Sequence, residues 1–125
     1  MICVETIEKL VEIYRYDLKM LSVMERCIMS FEEYHQTIFK MELWMKLYSK
    51  SVAPEEYRDN ISQMDKTRTV FHNSVLGNVR LLNKLAEKNE LVPVYDGVVS
   101  EERPYRREVA NAVFEYVEYL IKKRG

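Results

Sequence analysis

Glu32 and His35 stand three residues apart, a spacing that projects a carboxylate and an imidazole from one side of a helical turn. In di-metal carboxylate bundles that Glu-x-x-His unit occurs twice, with a further Glu from each of two other helices. Here it occurs once. The only other histidine, His72, has Thr69 rather than an acid three residues before it. The ligand count fails, so no metal and no cofactor is expected. Cys3 and Cys27 fit neither a metal-binding spacing nor a redox pair. No Gly-rich phosphate loop, Ser/His/Asp set or Cys/His pair is present. The two histidines leave acid–base chemistry open, but the missing signatures lean against an enzyme.

Glu32 and Glu33 with Gln36, followed by Glu56 and Asp59, faintly resemble the acidic signature of all-α nucleotide pyrophosphohydrolases of the MazG type. The pattern fails at Gln36, where a carboxylate is wanted. It fails on distance too. Across an antiparallel helix pair turning near Val52 the two sets would lie ~17 Å apart along the axis. A magnesium ion with ligands at ~2.1 Å cannot bridge that gap.

A second polar feature is sharper. On the helix that follows Pro54, an inward stripe is formed by Tyr57, Ile61, Met64, Val75, Val79, Leu82 and Ala86. Arg68 falls at its centre and His72 at its edge. A guanidinium is not left buried without a partner. Glu32 and His35 interrupt the stripe of the preceding helix, and the residue level with Arg68 is about Gln36, one turn from Glu32. The expectation is that Glu32 accepts from Arg68, with His35 and His72 in the same polar layer. Such a layer either sets helix register, the best-attested use of buried polar groups, or forms a ligand or proton-handling site.

These groups need long helices to position them. The chain has 125 residues, 47% hydrophobic and 31% charged, which fits one globular domain over 1–125 with no disordered tract. Only three glycines and three prolines punctuate it, too few for strands and tight turns. The first segment, Ile2 to Ser49, lacks both. Its apolar stripe comprises Ile7, Leu10, Val11, Tyr14, Leu18, Leu21, Met24, Ile28, Phe31, Ile38, Met41, Met45 and Tyr48. An unbroken helix of that length would measure ~70 Å, more than a compact domain this size allows. It therefore breaks, near Cys27–Ser30, or reaches into a partner. A second helix starts around Ser51 to Glu56, with Pro54 in the first turn, and continues through Gly77 to about Asn89. Leu91–Gly97 is a loop whose apolar content, Tyr95 above all, docks it on the bundle. A last helix, capped by Ser100, runs from Glu101 to about Lys123 with Val109, Val113, Tyr116, Val117 and Leu120 inward. The fold is all-α: an antiparallel helical bundle of three long helices, or four if the first breaks near residues 27–30.

One stretch carries more apolar surface than one neighbour can cover. Ile38, Met41, Trp44, Met45 and Tyr48 form one face, and Phe39, Leu43 and Leu47 a second. Either both neighbours belong to this chain, or the second face joins two copies. The net charge of −1 gives no field for nucleic acid, and Lys122, Lys123 and Arg124 suit a helix C-terminus. No apolar run approaches a membrane span. With no signal peptide after Met1, the cysteines are expected reduced in a cytoplasm.

Asp65-Lys66-Thr67-Arg68, His72-Asn73, Leu82-Asn83-Lys84-Leu85, Pro93-Val94-Tyr95-Asp96-Gly97 and Arg107 resemble a family of small helical bacterial proteins, mostly of Gram-positive organisms, grouped as a domain of unknown function. The resemblance covers Tyr57 to the C-terminus and not the first helix. It implies an all-helical cytoplasmic protein and supplies no activity, ligand or catalytic residue. The reading is therefore a non-enzymatic interaction or regulatory module that self-associates, its protein partners unknown. The alternative is a small-ligand or metal-binding enzyme built on the polar cluster.

Overall fold

A computed structural model describes residues 2–50, 54–97 and 107–124. It contains four helices, α1 (Val4–Ile13), α2 (Leu18–Lys50), α3 (Pro54–Lys88) and α4 (Arg107–Arg124). There is no strand among the described residues, only an isolated antiparallel bridge between Ile2 and Tyr95. The helices pack on one another as an all-α bundle. The caps expected at Ser51 or Ala53 and at Ser100, and the expected start at Glu101, lie outside the described residues.

The first segment does break, but not at Cys27–Ser30. That stretch is continuous helix, and the Ser30 hydroxyl donates to the Cys27 carbonyl at 2.6 Å. The break falls at Tyr14–Asp17. Asp17 caps α2: its carboxylate accepts from the Met20 N–H at 3.1 Å and its carbonyl from the Leu21 N–H at 2.9 Å. An aspartate directly before a helical stripe is the signal the spacing alone underweighted. The turn lets α1 fold back and bury Thr6, Ile7 and Leu10, while Val11 and Leu18, expected in the stripe, are exposed.

α2 and α3 are antiparallel. Asn78 donates to Ser30 at 2.6 Å, Tyr34 stands edge-on to His72, and Trp44 meets Tyr57 at a centroid distance of 5.3 Å. α4 runs against α2 as well: its Phe114 packs on His35 and its Tyr116 on Phe31. Helices α3 and α4 therefore point the same way, which requires the long crossover between them.

α3 ends in a Schellman motif. The Leu91 N–H reaches the Ala86 carbonyl at 2.8 Å and the Glu90 N–H reaches Glu87 at 3.1 Å. Glu90 takes a positive φ of 57°. The loop that follows is docked. Asn83 donates to the Tyr95 carbonyl at 3.1 Å and accepts from its N–H at 3.0 Å. Thr6 donates to the Val92 carbonyl, and the Cys3 N–H to Val94. Val94 and Tyr95 are buried. Gly97 is required by proximity: a Cβ there would collide with the Tyr95 ring.

Candidate functional site

The four polar residues do not form one layer. Arg68 holds Asp65 on its own helix, through Nη2 at 2.9 Å and Nε at 3.1 Å. Glu32 instead lies 3.6 Å from Arg124 of α4. The expected Glu32–Arg68 pair is absent from the ion pairs of the described residues, for two reasons. Asp65, three residues before Arg68, is already in reach. Glu32 also lies toward α4, away from the α3 side of its helix. His35 follows Glu32, stacking on Phe114 at 4.6 Å. The cluster is split into Arg68 with His72, and Glu32 with His35.

Each half lines a depression. Arg68 and His72 face an open cleft of about 510 Å³ between α2, α3 and α4. Tyr34 and Asn111 contribute to its polar wall, and Ile38, Met41 and Met45 to its apolar wall. His72 is almost fully buried, and its ring lies 5.7 Å from that of Tyr34. Among the described residues two cations, Arg68 and Arg107, and two acids, Asp65 and Glu42, line it. Tyr34 and Asn111 went unnoticed in sequence, and Asp65 was read only as part of the family resemblance; the three-residue step from Asp65 to Arg68 was the available signal for their pairing. Glu32 and His35 border a smaller cleft of about 120 Å³ against α4. Among the described residues no group of three or more His, Cys, Asp or Glu side chains is placed to hold a metal. Nor is any helix long and apolar enough to cross a membrane. Burial pushes the Cys27 thiol above its ordinary value, with Arg26 opposing weakly, so this sulfur is a poor nucleophile.

The third candidate is a surface. Phe39, Leu43 and Leu47 are 65%, 52% and 42% exposed. On the same helix Trp44 meets Tyr57 of α3, and Ile38, Met41 and Met45 line the cleft that α2 shares with α3 and α4. A stripe of this kind on a charged helix is the usual mark of an interaction surface.

A family model described as a protein of unknown function (DUF3232) matches residues 2–122, so the likeness extends through the first helices as well as the segment from Tyr57 onward. No curated protein and no solved structure matches the chain.

Proposed function

This chain belongs to the DUF3232 family, whose function is unknown, and we propose that it is a non-enzymatic interaction or regulatory module that self-associates through the free side of α2. The observation that carries the reading is the exposure of Phe39, Leu43 and Leu47, one above another on α2. Leaving three large apolar side chains in water costs solubility, and a second protein surface removes that cost. The resemblance to bacterial helical proteins and the two unpaired thiols support a bacterial cytoplasm as its setting. Sedimentation at micromolar concentration is the test. The wild-type chain is expected to be a dimer, and Phe39→Asp with Leu43→Asp a folded monomer. A wild-type chain that stays monomeric would overturn the reading.

The cleft at Arg68 and His72 favours a second reading, a small-ligand site. A cleft with one apolar wall and one wall bearing charges of both signs suits a molecule that has an apolar body and a polar head. Thermal shift with a panel of such metabolites tests it: stabilisation lost in His72→Phe supports the reading, and no hit that depends on the cleft removes it.

A further inference from the structure

The free side of α2 is not uniform along its length. Glu25, Met29, Glu32, Gln36, Phe39, Leu43, Lys46 and Lys50 follow one another at alternating steps of four and three. That is the spacing of a coiled-coil seam, which keeps one line of side chains facing a partner helix. Met29, Phe39 and Leu43 on this line are exposed large apolar residues. Gln36, Lys46 and Lys50 are also exposed, and Glu32, 3.6 Å from Arg124 of α4 at the edge of this line, keeps 35% of its side chain exposed. The charges are segregated: acids Glu25 and Glu32 at the N-terminal end, lysines Lys46 and Lys50 at the C-terminal end, and apolar Phe39 and Leu43 between them and the lysines.

We propose that the occupant of this seam is a second copy of the same helix, lying antiparallel about a two-fold axis that passes between Phe39 and Leu43. The inference rests on the self-association reading and adds its direction and register. A parallel pair would set Lys46 on Lys46, Lys50 on Lys50 and Glu32 on Glu32, a like-charge contact at every ionic layer. An antiparallel pair sets acid against base. Among antiparallel registers that keep the seam in line, one places Phe39 against Leu43 of the other copy. The same register puts Gln36 beside Lys46 and Glu32 beside Lys50. Sliding by one heptad, two layers of the seam, in the direction that lengthens the overlap puts Leu43 on Glu32 and Phe39 on Gln36, burying an acid against a leucine. Because the contact is isologous, every favourable layer occurs twice. The amide of Gln36 beside an apolar centre is the kind of polar group that fixes register in coiled coils.

Charge reversal and cross-linking test this together. Glu32→Lys and Lys50→Glu are each expected to weaken the dimer by about tenfold or more, since each removes two ion pairs and creates two repulsions. The double variant carrying both changes should recover wild-type affinity. Glu32→Cys mixed with Lys50→Cys should form an intermolecular disulfide on oxidation, while neither variant cross-links with itself beyond the wild-type background from Cys3 and Cys27. Circular dichroism on each variant separates a lost interface from a lost fold. A dimer indifferent to both reversals, or one that cross-links Glu32→Cys to itself, overturns the antiparallel register and leaves self-association standing. A wild-type monomer overturns both.

Discussion

The two halves of α2 carry the same helical period and reach opposite states. Between Met24 and Tyr34 its inward residues are buried, Phe31 completely, beneath α3 and α4. From His35 to Lys50 no residue is buried, and on α3 none is buried among the described residues before His72. The lower half is enclosed because it joins one core with residues of α1, the docked loop, α3 and α4. In the upper half α3 is the neighbour throughout, Trp44 rests on Tyr57, and Phe39, Leu43 and Leu47 stay in water. Amphipathic spacing shows that a helix has a face to bury. The number of neighbours decides whether that face is buried within one chain.

Cavity creation should separate the halves most widely. Phe31→Ala, at a fully buried ring edge-on to Tyr116, is expected to cost about 3–5 kcal/mol in urea unfolding. Phe39→Ala should change the stability of the monomer by less than ~0.5 kcal/mol while weakening the dimer. Similar costs at the two sites would erase the contrast.

The docked loop belongs to the closed half because Asn83 holds both backbone polar groups of Tyr95. Asn83→Ala removes both of these bonds from a buried site, and a loss of about 1–3 kcal/mol is expected. Hydrogen exchange at the Tyr95 amide should accelerate more than the global loss explains. Protection that survives the substitution would mean the loop is held by its apolar contacts alone.

Two backbone positions, one inside α3 and one just past its end, sharpen the picture on a smaller scale. Gly77 lies inside the helix, and an added Cβ would meet nothing within 4 Å, so Gly77→Ala should raise stability by about 1 kcal/mol. Glu90 occupies the left-handed position of the Schellman motif, where glycine carries no steric penalty. Glu90→Gly should raise the melting temperature, and a fall would show that its side chain has a role beyond the turn.

The smallest effect is alkaline. Burial first, and then Glu8, hold the Tyr116 hydroxyl above the ordinary tyrosine value, with Arg124 opposing. Below that ordinary value folded and unfolded chains both keep the proton, and the contribution is whole. As pH rises past it the unfolded chain ionises first, so stability falls until the folded value is passed. Tyr116→Phe should flatten the loss of melting temperature above pH ~10.

The helices themselves were legible in the sequence. Sparse Gly and Pro, sustained apolar spacing, Pro54 in a first turn and a period unbroken across Gly77 led to long antiparallel helices, and an apolar loop around Tyr95 led to a docked one. These are local properties: each depends on side chains within a turn or two. The α1–α2 break sits where Asp17 caps a helix rather than at Cys27–Ser30, and Arg68 reaches Asp65 rather than Glu32. Asp17 and Asp65 are local partners that apolar spacing alone passed over, whereas the turn of Glu32 toward Arg124 depends on where the chain folds back and on which way each helix is rotated. A difference of a few residues in register, ~1.5 Å each, or of a fraction of a turn moves a guanidinium from one carboxylate to another. Spacing along one helix specifies which side chains share a face. Only the packed arrangement of α2, α3 and α4 determines what that face meets, because burial and ion pairing are set by distances between helices that no single helix contains.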